Sequence, residues 1–117
     1  MALKNQDFSI YAGNDEELDI SLFDEDGDPL PIAGSTVLWA LMSAYDPSVA
    51  LVSKSSAPMS GILITDAVHG MIIVTIDRED TIGFGGQPYM HAAAVINSDG
   101  ARTTVLTGAV TIDKTPV

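Results

Sequence analysis

"ELDISLFD" (17–24) alternates apolar and polar side chains. Leu18, Ile20 and Leu22 fall on one side of an extended chain, Asp19 and Ser21 on the other. Successive side chains of extended backbone point in opposite directions, so this period of two marks a strand with one buried face. Phe23 interrupts the polar side and leaves an apolar group where the strand would meet a neighbour.

The same periodicity recurs on either side. "FSIYAG" (8–13), "STVLWALMSA" (35–44), "SVALVSKS" (48–55), "GILITDA" (61–67) and "GMIIVTID" (70–77) read as strands, the last on its β-branched residues. Residues 35–44 are apolar on both faces, the pattern of a central strand or of one covered on its second side by another layer or a partner. "DREDTIGFGG" (77–86) predicts the one short helical turn, capped by Asp77 with Asp80 three residues on, and stopped by Gly83, Gly85 and Gly86. "QPYMHAAAVINSDGARTTVLTGAVTID" (87–113) predicts a hairpin turning at Asp99-Gly100. Together these predict an all-β fold of about seven to eight strands, a two-layer antiparallel β-sandwich, with a partly open barrel as the competing arrangement. Trp39 is the expected centre of the core, with Tyr89 and Phe84 as companions. No linker, repeat or low-complexity tract divides the chain, so 1–117 is expected to be a single domain.

Composition limits the function classes. Forty-six per cent of the residues are apolar, enough to bury a core. Five basic against sixteen acidic residues give a net charge of −11, which repels phosphate backbones and anionic lipid; nucleic acid and membrane are not expected partners. Basic protein surfaces, cations or further copies of the chain suit such a charge better. The chain has no cysteine, which removes disulfides, thiolate zinc sites and cysteine nucleophiles together. "MALKNQDFSIYAG" (1–13) lacks the pattern of a signal peptide, and no apolar run nears the roughly 20 residues that span a bilayer.

Candidate sites are few. Asp24, Asp26 and Asp28 alternate around Gly27, a spacing that lets carboxylates converge on a hard cation where the backbone curls. A calcium loop of the helix-loop-helix kind needs glycine at position six and glutamate at position twelve, where this chain has Pro29 and Ser35. Asp26-Gly27 is also ordinary turn chemistry, and a turn is the expected reading. The acidic cluster "GNDEELD" (13–19) has no sign of the cleft that acid–base catalysis requires. His69 precedes Gly70 and reads as a turn residue; His91 lies mid-strand, either half-buried and hydrogen-bonded or facing a partner. Neither has zinc-ligand spacing or a nucleophile elbow beside it. "GFGGQP" (83–88) lacks the lysine and the following helix of a phosphate loop. No catalytic residue, metal centre or cofactor is expected.

The turn and strand motifs resemble the small immunoglobulin-like domains of tailed-bacteriophage virion proteins, such as the amino-terminal module of baseplate upper proteins. The resemblance rests on Gly13-Asn14-Asp15, the strand from Leu18 to Phe23, the turn from Asp24 to Gly34 and the strand from Val37 to Leu41. It continues through Gly70 to Ile76, Asp77 to Ile82, Gly86-Gln87-Pro88-Tyr89, "AAAVINSDG" (92–100) and "LTGAVTI" (106–112). Pro88 departs from the pattern, and the expectation that no further domain follows is a second departure. The resemblance implies an immunoglobulin-like sandwich and a non-enzymatic virion structural protein, made in the host bacterial cytoplasm. Capsid decoration is the favoured role, and a tail, baseplate or neck subunit is the alternative. Phage capsid or tail proteins would be the partners, and a homo-oligomer, trimer or dimer, is expected. Phe23, Leu38, Met42 and Met90 are the candidate contact residues, since shell-binding proteins expose apolar or strand-edge surface. A carbohydrate-binding module is the rival from another class; its exposed aromatic row is not apparent in the scattered Tyr11, Phe23, Tyr45 and Phe84.

Overall fold

The computed structural model describes residues 7–85 and 87–113. Its elements in chain order are β1 (Phe8–Tyr11), β2 (Glu16–Ser21), β3 (Thr36–Ser43), β4 (Asp46–Ser55), β5 (Ile62–Asp66), β6 (Met71–Ile76), α1 (Arg78–Thr81), β7 (Tyr89–Ile96) and β8 (Arg102–Asp113). A five-stranded sheet in the order β1-β8-β7-β3-β4 faces a three-stranded sheet in the order β2-β6-β5. Two separate sheets, rather than one closed one, make this a sandwich and not a barrel. All pairings are antiparallel except β1 with β8, which run parallel with Phe8 opposite Val110. Strands from the two chain ends meet at this edge, a pairing that local periodicity could not reveal.

Two strands differ in extent from expectation. β2 stops at Ser21, and Phe23 instead makes an isolated bridge to Pro29. β4 begins at Asp46 and runs ten residues, because the Asp46-Pro47 dipeptide enters the strand rather than preceding it. In α1 the Asp77 N–H donates to the Asp80 carboxylate at 2.8 Å, as expected for a reciprocal cap.

The inward rows build the core. Trp39, Leu41, Ile72, Val74, Val110 and Ile112 are all nearly solvent-free, and each such aliphatic side chain contributes about 1.5–3 kcal/mol by leaving water. A register shift between Ala93 and Ala94 opposite β8 lets both Val105 and Leu106 enter the core. Trp39 is 1% exposed and His91 2%. The Trp39 indole N–H donates to His91 Nδ1 at 3.0 Å; an indole can only donate, so Nδ1 is the accepting nitrogen. Phe8 meets the His91 ring edge-on, with centroids 4.8 Å apart. Tyr89 is buried, Phe84 stacks on it at 5.6 Å, and its hydroxyl accepts the Gly85 N–H at 2.9 Å.

This is an immunoglobulin-like sandwich by its own topology. The five-stranded layer holds a three-stranded core, β3, β7 and β8, with β4 and β1 added at its edges, and a buried tryptophan sits on the interior strand β3. Tyr89 opens β7 with its hydroxyl bonded a few residues upstream, the arrangement of a tyrosine corner. Two residues on, where immunoglobulin domains place a cysteine, this chain has His91.

The connection from β2 to β3 is laced to the β5–β6 turn. Leu22 N–H donates to Gly70 C=O at 2.9 Å, Leu30 N–H to Leu22 C=O at 2.9 Å and Ile32 N–H to Ala67 C=O at 2.8 Å. Gly70 sits at φ 68°, and a Cβ there would lie 2.5 Å from the Leu30 carbonyl oxygen and 2.8 Å from that of Leu22. Gly100, at φ 90° in the β7–β8 hairpin, faces open space.

Gly70→Ala should therefore cost on the order of 2–4 kcal/mol in urea unfolding, against about 1 kcal/mol for Gly100→Ala, because only the former adds a backbone clash to the left-handed conformation. Trp39→Phe should cost about 2–4 kcal/mol by opening a void and removing the donor to His91. Adding His91→Leu should recover part of that loss, giving a double-mutant coupling of about 1 kcal/mol or more; strictly additive costs would show that the bond contributes nothing.

Candidate functional site

Strand parity decides which side chains leave the core. On β3 the inward Val37, Trp39 and Leu41 alternate with Leu38, Ala40 and Met42. On β7 the inward Tyr89, His91 and Ala93 alternate with Met90, Ala92 and Ala94. The register sets Leu38 opposite Ala94, Ala40 opposite Ala92 and Met42 opposite Met90. β4 continues these rows with Ser55, Ser53 and Ala50, and β8 with Thr104, Thr107 and Ala109. The outer face of the five-stranded sheet is thus a floor of small residues framed by Leu38, Met42 and Met90, with a groove of about 380 Å³ above it. Leu38 and Met90 are half-buried, and Met42 is 7% exposed.

The electrostatics of this face run against the rest of the chain. No aspartate or glutamate lines the groove; of its two charged residues, Arg102 and Lys54, the latter stands in the inward row opposite Trp39. Lys54 already pairs with Asp80 at 2.7 Å, which leaves Arg102 as the basic group at the rim. On a chain of net charge −11, the carboxylates are held away from one apolar surface.

Three of the four expected contact residues, Leu38, Met42 and Met90, come together here. Phe23 does not. It borders a second groove of about 400 Å³ beside β1 and β2, with Phe8, Leu18 and Leu106 as apolar lining and Glu17 and Asp19 at the rim. The floor residues Ala40, Ala92, Ala94 and Ala50 went unnoticed in the sequence. Their parity with Leu38 and Met42 was the available signal, but alanine carries little hydrophobic contrast.

The remaining candidates are building elements. Asp24 Oδ1 accepts the N–H groups of Asp26 and Asp28, both at 3.0 Å, so the loop closes on its own first carboxylate. Asp26 and Asp28 are exposed. Among the described residues no group of three or more metal-ligating side chains gathers. In the cluster 13–19, Asp15 reaches α1: its carboxylate accepts the Arg78 N–H at 2.9 Å and the Arg78 guanidinium at 2.8 Å. Gly13 N–H donates to Thr81 Oγ1 at 3.0 Å, and Thr81 is wholly buried. The acidic turn is thereby fastened to the helical turn, a role no sequence motif announced. His69 pairs with Asp66 at 2.7 Å on the exposed β5–β6 turn, and this bond holds the Asp66 carboxyl below its ordinary value. The exposed tyrosines stand apart: Tyr11 ends β1 on one margin of the large sheet, and Tyr45 lies beside β4 on the other.

No protein-family model and no curated protein matches the chain. Among solved structures it is similar to murine CRIg, at 13% identity and a TM-score of 0.44, over 94% of this chain and 92% of that one. It is also similar to a chain from the structure of ICOS in complex with ICOS-L and an anti ICOS-L VNAR domain, at 12% identity and a TM-score of 0.42. That match covers 97% of this chain and 55% of the other, so the chain spans about half the latter's length.

The Arg78 contact, through its side-chain hydrogen bond first, lowers the Asp15 carboxyl below its ordinary value. A depressed folded-state value means that Asp15 supports the fold above its unfolded-state pKa and loses that contribution as pH falls through the lowered one. Carboxyl-carbon NMR should show Asp15 titrating below an ordinary aspartate, and Arg78→Ala should return it upward; an unchanged midpoint in the variant would remove Arg78 as the cause.

Proposed function

We propose that this chain is a non-enzymatic structural protein of a bacteriophage virion, which decorates the capsid shell by docking through the outer face of its five-stranded sheet. The carboxylate-free groove on this face of a strongly acidic chain is the observation that carries the docking surface. An apolar floor with half-exposed Leu38 and Met90 gives a partner area to bury, while the acids elsewhere keep the free subunit soluble and favour a basic target. The virion and its shell are supported by the motif resemblance from Gly13 to Ile112. Arg102 at the rim would pair with an acidic group at the edge of the contact and fix its orientation rather than add much affinity.

Ala92→Arg puts a bulky charge in the middle of the floor, where the register places Ala92 between Ala40 and Thr107. The variant should keep its melting temperature and lose at least about tenfold in cosedimentation with shells of the phage that encodes it. Normal binding by the variant would discard this face as the docking surface. Electron microscopy of intact virions that finds the chain in the tail would discard the shell but not the face.

A further inference from the structure

Four strands end the two sheets: β1 and β4 in the larger, β2 and β5 in the smaller. A free edge presents unpaired N–H and C=O groups to any other strand, and proteins usually blunt it by shortness, charge, proline or a bulge. β1 is only four residues long. β2 carries Glu16, Glu17 and Asp19. β5 has five residues, with a register irregularity between Ile64 and Asp66. β4 is different. It runs ten residues, bears no charged side chain from Pro47 to Ser53, and leaves Val49 52% and Leu51 43% exposed. Pro47 and the register shifts opposite Leu41–Ser43 interrupt its pairing with β3 between Asp46 and Val52, while from Val52 to Ser55 it pairs regularly.

We propose that β4 pairs antiparallel with β4 of a second copy of this chain, joining two five-stranded sheets edge to edge. Charge selects both the partner and the direction. Asp46 and Lys54 bracket the uncharged stretch, so an antiparallel pair centred on Ala50 sets Asp46 of each copy opposite Lys54 of the other; a parallel pair would set like charges together. Both residues stand in inward-facing rows, Asp46 with Ser43 and Tyr89, Lys54 with Trp39 and Ala93, so opposed partners lie on the same side. Lys54 already holds Asp80 at 2.7 Å, and the incoming carboxylate joins that ion pair. The two-fold axis stands perpendicular to the sheet, which leaves both outer faces on one side as a continuous surface. The pairing does not depend on what that surface binds.

Sedimentation velocity on the full chain tests it, with hydrogen exchange of backbone amides as a second reading. A concentration-dependent dimer is expected, with the amides of residues 48–53 gaining protection as it forms. Leu51→Lys, which charges the edge, should weaken the dimer at least about tenfold; should that variant fail to show a native melt, Val49→Lys repeats the test from the other side of Ala50. A chain that stays monomeric to about 1 mM overturns the proposal. So does a dimer whose 48–53 amides exchange as in the monomer, or protection of that edge only when a foreign peptide is added.

Discussion

The diagonal contact from Trp39 on β3 to His91 on β7 fixes the parity on which everything else rests. Trp39 is registered opposite Ala93 and His91 opposite Leu41, so the indole reaches across to the next inward position of its neighbour. A slip of one residue would turn the largest side chain of the chain into solvent and leave two polar ring atoms without each other. With that register held, Ala40, Met42, Met90 and Ala92 have nowhere to point but outward. The core thus specifies which side chains form the outer face, although none of them takes part in the core's central bond.

The alternation at 17–24, the apolar run at 35–44 and the Asp99-Gly100 hairpin were legible because each depends on neighbours in sequence. The parallel pairing of β1 with β8 was not, because it joins residues about a hundred positions apart and leaves no local mark. Phe23 looked like a partner contact for being an apolar residue on a polar face, but its strand had already ended at Ser21. For His91 the sequence left two alternatives, a half-buried hydrogen-bonded residue or one facing a partner; it is hydrogen-bonded but fully buried, since only the fold places it under Phe8 and beside Trp39. The outer face was half visible: Leu38, Met42 and Met90 stood out, whereas the alanines between them did not.

Charge is arranged as carefully as hydrophobicity. Several of the acids that seemed to offer chemistry spend their lone pairs on backbone: Asp24 on its own loop, Asp80 on the start of α1, Asp15 on Arg78. Others line β2 and ward off strand pairing there. What is left free of negative charge is the groove on the outer face of the larger sheet and the stretch of β4 from Pro47 to Ser53 that borders it. The two surfaces meet along Ala50, which belongs to both.

His91 in place of a sulfur has a consequence for how the molecule is made. A core joined by an indole and an imidazole needs no oxidant and no disulfide isomerase to reach its final form. The two sheets can close once β8, the last of the described strands, is available, and thiol reductants find nothing in this sandwich to attack.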